Sequence, residues 1–205
     1  PSLADFPKPF CVKGEVNATY VIGYSLDHGV AKAANTIDVV GAVLVGEALG
    51  SASSSGAYRA VLDVEAAELD ASAVTLSGNL IAVGGPLVNL VTKYYNGLVV
   101  DGRHALPIYY DGGVVVRDTG NVYRMQGEYW RGEPVTDYAW IVLYKDGSRY
   151  ILIIAGISGY ATRAACKYLA NYDLHQLDGK GIVLRIYDAN GDGEPEEINV
   201  VEIAV

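Results

Sequence analysis

Residues 149–172, RYILIIAGISGYATRAACKYLANY, constrain the fold more than any other stretch of the chain. Positions 150–155 form an apolar, β-branched-rich run that is long enough for a strand and short for a helix. Gly156 and Gly159 follow, where a tight turn needs backbone angles closed to other residues. Beyond the turn, Ala161, Ala164, Ala165, Tyr168 and Leu169 recur at the three- and four-residue spacing of one helix face. A strand without polar alternation is typical of a sheet covered on both faces, so this unit belongs in the middle of one.

The same grammar occurs twice more. Residues 16–23 (VNATYVIG) lead through Ser25 and Asp27 into a periodic run over 30–49. Asp27 is a good helix N-cap, and Gly50 is a natural stop. Residues 80–85 (LIAVGG) lead through Pro86, a favoured first helical residue, into Leu87, Leu90, Val91 and Tyr94. Three strand–glycine–helix units predict an α/β fold, with a mainly parallel sheet and helices on both faces.

The 205 residues suffice for one sizeable core, and we expect a single domain over 1–205. With 51% hydrophobic residues the chain is not disordered, and a net charge of −9 argues against a nucleic-acid binder. The most apolar helix candidate, 30–49, carries Lys32, Asp38 and Glu47, so no transmembrane segment is expected. The chain opens at Pro1 with no initiator Met, which fits either processing, such as removal of a signal, or a trimmed chain. Cys11 and Cys166 either pair, closing most of the chain into a loop worth about 5 kcal/mol, or stay buried thiols.

Residues 1–10 (PSLADFPKPF) are too Pro-rich for a helix and form an arm that wraps its own domain or reaches a neighbour. Asn17-Ala18-Thr19 is an N-glycosylation sequon, though such triplets also arise by chance. His28 beside Asp27 makes no catalytic pair, because sequence neighbours do not face each other on a helix. Residues 84–86 and 156–159 match neither a phosphate-binding loop nor a nucleophile elbow, so these glycines read as turn and packing residues. Residues 51–56 are a flexible connector and 58–64 a strand. Between 98 and 136, short strand candidates alternate with Asp-Gly and Gly-rich turns, an inserted β-hairpin elaboration rich in Tyr and Arg. Lys145-Asp146-Gly147 joins strands 138–144 and 150–155 in a further hairpin.

A C-terminal hairpin, strands 182–187 and 198–205, encloses DANGDGEPEE. Asp188, Asn190 and Asp192 place side-chain oxygens on alternate residues, with Gly193 at the sixth position and Glu194 at the seventh, as calcium loops do. Position twelve is Asn199 and not Glu, so Glu196 or Glu197 has to supply the last oxygens. The other reading is an acidic hairpin turn built on Asn-Gly chemistry.

Taken in order, FPKPF, VNATYVIG, NLIAVGGPLVN, YILIIAGISGYATRAACKYLANYD and YDANGDGEPEEINVVEIAV resemble archaeal surface-layer proteins of the methanococcal and thermococcal type. The resemblance covers both ends, about two thirds of the chain. It lacks the large insertions that such proteins carry where this chain has only 51–79. It implies a secreted, non-enzymatic structural protein that self-assembles at the cell surface, with a glycan at Asn17 and calcium on Asp188, Asn190 and Asp192. Subunit contacts are expected from the N-terminal arm and the aromatic hairpins. The rival is a small-ligand or glycan-binding module, its site formed where the turns at 23–28, 84–87 and 156–162 converge beyond the strand ends.

Overall fold

The computed structural model of the chain describes residues 1–26, 36–171, 174 and 176–205, with only the backbone of 56–58. The elements run β1 (Cys11–Val12), β2 (Glu15–Ile22), α1 (Thr36–Ser51), β3 (Ser55–Leu62), β4 (Leu80–Val83) and α2 (Leu90–Gly97). The short strands β5 (Val99–Val100), β6 (Arg103–His104), β7 (Ile108–Tyr110), β8 (Val114–Val116) and β9 (Val122–Tyr123) follow. The chain closes with β10 (Val135–Asp146), β11 (Arg149–Gly156), α3 (Gly159–Asn171), β12 (Gly181–Asp188) and β13 (Glu197–Ala204).

One curled sheet organises the molecule. It runs β3-β2-β4-β11-β10-β12-β13, with β1 paired to the first residues of β2. The strand–glycine–helix units do produce parallel pairs, β2 with β3, β2 with β4 and β4 with β11. The expectation of a mainly parallel α/β fold with helices on both faces is nevertheless overturned. Strand outweighs helix, 37% to 23%, and the sheet is mixed. The tight turn at Gly147 folds β10 back on β11, and the C-terminal hairpin adds β12 and β13, all antiparallel. Such hairpins need only a few linking residues, whereas each parallel step needs a crossover.

The faces are covered differently. On one, α1 and α3 pack together over Val16, Tyr20, Ile81, Ile141, Leu152 and Ile154. On the other, eight-residue α2 shares Trp140, Val142, Ile151 and Ile153 with β7 and β8 and with the turn at 66–67. A β-rich layer thus does most of what a second helical layer was expected to do. Ile151 through Ala155 are fully buried, as the absence of alternation in β11 required.

Several boundaries moved. α1 is described from Thr36, so Asp27 and His28 lie outside the described residues. α2 starts at Leu90 and not at Pro86. Pro86 sits instead in the turn closed by Val88 N–H to the Gly85 carbonyl, 3.0 Å. Gly156 is not in the left-handed region: a Cβ there would stand 2.4 Å from Thr162 N, so it is needed for close approach of α3 to β11. The N-terminal arm wraps its own domain, with Leu3 and Phe10 in the core and Leu3 N–H bonded to the Gly179 carbonyl.

Candidate functional site

β4 and β11 are parallel neighbours, yet the helices after them leave to opposite faces, α2 to one and α3 to the other. A crevice opens where adjacent connections diverge in this way. It holds a cleft of about 270 Å³. Residues 85–88 form one side, residues 156–160 the other, and Tyr110, Tyr129 and Trp140 line it further. Asp38 reaches it from α1. Two of the three turns that the sequence grouped therefore meet here. Residues 23–26 of the third are not part of the lining.

Beneath the α3 turn lies Asp137, wholly buried on β10. Its Oδ2 accepts from Ser158 Oγ at 2.5 Å and from Tyr129 OH at 3.2 Å, and its Oδ1 accepts from Tyr138 N–H. Burial pushes the Asp137 carboxyl above its usual range, against the pull of those donors. Ser158 caps α3, its Oγ accepting from Ala161 N–H at 3.2 Å. Burial likewise pushes the Tyr129 phenol up, with the Asp137 charge adding to it. Among the described residues no histidine or cysteine lines the cleft, and Ser158 Oγ donates directly to the Asp137 carboxylate with no imidazole between them.

Two loops build the rim. Trp130, two-thirds exposed and at φ +66°, donates its Nε1–H to Tyr160 OH, and Tyr129 packs on the Tyr160 ring at 4.4 Å. A bulky residue in the left-handed region is strained, and contacts on both sides hold it there. Its backbone N–H bonds the Gly191 carbonyl at 2.7 Å, tying this loop to the acidic one.

The acidic loop closes on itself. Buried Asp188 accepts from Gly191 and Gly193 N–H at 2.6 and 2.7 Å, while Asn190 and Asp192 each cap the residue two further on. Glu194 turns to Arg163 at 2.7 Å, and Glu197 lies beside Asn199, 3.9 Å from Arg185. Glu196 accepts from Ala189 N–H. Among the described residues no three His, Cys, Asp or Glu side chains gather closely enough to hold a metal ion. The proposed ligands Asp188, Asn190, Asp192, Glu194 and Glu197 therefore share a loop without converging.

The remaining expected positions lie elsewhere. Asn17 is exposed on β2, its carbonyl held by Asn79 Nδ2 at 3.2 Å. Cys11 and Cys166 are both buried free thiols. Cys11 Sγ faces the Ala52 carbonyl and Cys166 packs against Gly41 between α1 and α3. Of the two readings, the structure shows the unpaired one. The aromatics of 98–136 mostly turn inward, Tyr110 onto Trp140 and Tyr123 onto Tyr138.

Sequence patterns missed the buried polar residues. Asp63 accepts from Tyr24, Val64 and Leu90 N–H, and Asn89 caps α2 while donating to the Val21 and Val83 carbonyls. The one available signal is an Asn directly before an apolar helical run, an N-cap pattern, whereas the sequence reading starts the helix at Pro86 as its first residue. No protein-family model matches the chain, and no curated protein sequence matches it.

Proposed function

We propose that the chain is a non-enzymatic structural domain that associates with copies of itself at the cell surface, in the manner of the surface-layer proteins its sequence resembles. The observation that carries this reading is α1. Its buried positions, Asp38, Gly41, Val45 and Leu49, form one face, and Val39, Val40 and Val43 form an exposed apolar stripe on the other. A helix apolar on both sides normally has both sides covered.

Only residues 52–54 separate α1 from β3, an edge strand whose eight residues pair with β2 alone among the described strands. Long open edges invite strand addition unless they are blunted. β13, the opposite edge, is blunted by a bulge between its pairs at Val183 and Leu184 and by Glu197 and Glu202. β3 carries Arg59 as its one charge. The N-terminal arm and the aromatic hairpins, turned inward, are not used for contacts in this reading.

Negative-stain microscopy and light scattering over a concentration series test it, comparing wild type with Val40→Lys/Val43→Lys. Wild type is expected to polymerise, and the variant to remain a folded monomer with an unchanged circular dichroism spectrum. A wild type that stays monomeric at every concentration sinks the proposal. No helix among the described residues is long and apolar enough to cross a membrane. A glycan at Asn17 is checked by intact mass.

A further inference from the structure

The sheet carries unlike charge at its two ends. β10 and β12 pair antiparallel, so Val135 and Asp188 stand at one end and Lys145 and Lys180 at the other, about 30 Å away at the usual strand rise. Around the first end, residues 127–133 and 188–197 bring seven carboxylates. Glu128, Glu194 and Glu197 face Arg131, Arg163 and Arg185, and Asp188 is buried. Glu133, Asp192 and Glu196 remain, exposed and with no basic partner among the described residues. Trp130, the one exposed aromatic of residues 98–136, belongs to the same end. Its bonds to Tyr160 and Gly191 fix it in advance, so a contact made through it costs little ordering. Trp is also the residue type most enriched among the anchors of protein contacts.

The second end has the complementary features. A groove of about 400 Å³ lies between Pro107, Leu143, Tyr144 and Tyr150, with Arg117, Lys145 and Lys180 along it. Arg117 pairs with Asp118, but neither lysine has a carboxylate partner among the described residues. Pro1 and Val205 border the groove too, and the charge counted here is that of side chains alone. The Tyr rings and Pro107 offer apolar walls to an indole, and a lysine ammonium over its face adds cation–π attraction. One molecule thus carries both a rigid aromatic projection among unpaired carboxylates and a groove among unpaired ammonium groups.

We propose that these two ends meet between copies of the chain: Trp130 of one copy enters the groove of the next, with Glu133, Asp192 and Glu196 facing Lys145 and Lys180. The contact is heterologous and its halves lie on opposite sides of the molecule, so it adds copies in a row along the strands. It rests on the self-association reading and supplies the second contact that a polymer needs beyond α1 and β3. Exposed charges attract weakly through water, so a single end contact does not hold two copies together. A dimer joined through α1 presents two ends of each kind, and its paired contacts reinforce each other.

Charge swaps at exposed positions provide the test, read by light scattering and negative-stain microscopy. Lys145→Glu/Lys180→Glu reverses the groove, and Glu133→Lys/Glu196→Lys reverses the acidic end. At the concentration where wild type polymerises, each variant alone should stop at dimers with an unchanged circular dichroism spectrum. An equimolar mixture of the two should polymerise again, because native ends then meet native ends and reversed ends meet reversed ones. Such rescue requires both variants to be folded. Trp130→Gly keeps the left-handed backbone without strain and removes the anchor, and it should raise the concentration needed for polymers at least about tenfold. The proposal is overturned if either end variant polymerises as wild type does, or if Trp130→Gly polymerises at the wild-type concentration. It is equally overturned if the mixture stays dimeric, which would leave the groove to an anionic partner of another kind. All three failures leave the dimer through α1 standing. A wild type that is monomeric at every concentration instead sinks the self-association reading, and this contact with it.

Discussion

Single buried polar residues hold the turns of this protein together. Asn89 makes four hydrogen bonds, two capping α2 and two to the ends of β2 and β4. Asn89→Ala removes the cap and leaves two buried carbonyls unpaired, so it should cost about 2–4 kcal/mol in urea unfolding. Asp137 is the titrating counterpart. Its folded pKa is raised by burial, so its contribution to stability is complete below the unfolded value of 3.8 and is lost as pH rises through the folded value. Unfolding midpoints measured from about pH 4 upwards should therefore fall less steeply for Asp137→Asn than for wild type. Equal slopes would mean that the carboxylate is ionised in the folded protein without penalty. Glu202 behaves oppositely: despite partial burial, its bonds from Thr119, Tyr123 and Asn121 hold its pKa below the usual range. Its contribution is present above the unfolded pKa and disappears as pH falls through the folded one.

At the scale of elements, close approach and self-closure decide more than propensity. α3 comes so near β11 that a methyl group on Gly156 meets Thr162 N at 2.4 Å and the Ala161 side chain at 2.6 Å. Gly156→Ala should destabilise the fold by about 1–3 kcal/mol and loosen the α3 turn, seen as a lower melting temperature and faster amide exchange at 157–162. The acidic loop is the opposite case, a device that closes without help. With Asp188 bonded to Gly191 and Gly193, and Glu194 to Arg163, an ion would have to displace bonds already made. Millimolar calcium should accordingly leave the melting temperature within about a degree. A rise of several degrees, abolished by Asp192→Ala, would show that the loop rearranges to bind the ion.

At the scale of the molecule, the sheet has two unlike edges and two unlike faces. The β13 edge is bulged and acidic, while the β3 edge is unbroken and follows α1, which carries the apolar stripe, after residues 52–54. A head-to-head contact through either surface alone would close a dimer, whereas polymers need a second, different contact. Light scattering of wild type at low concentration should therefore resolve a dimer first if α1 and β3 pair with their own copies. Direct growth from monomer to polymer would indicate that β3 meets another part of the next subunit.

The amino-acid sequence by itself determined the local elements. The apolar run of β11, the Lys145-Asp146-Gly147 hairpin and the C-terminal hairpin follow from patterns a few residues long, and each is present; of the short strands of 98–136, the candidate over 122–130 is reduced to Val122–Tyr123. It also brought two of the cleft's turns together, because glycines after parallel strands converge at one end of a sheet. Only the tertiary structure decided the rest. Strand direction depends on which hairpins join the sheet, the second face was taken by a β-rich layer, and the acidic residues of 188–197 turned to amides and arginines instead of to one another. Trp140 and Asp137 carry no local signal, since residues distant in the chain enclose them and burial is a property of the assembled fold.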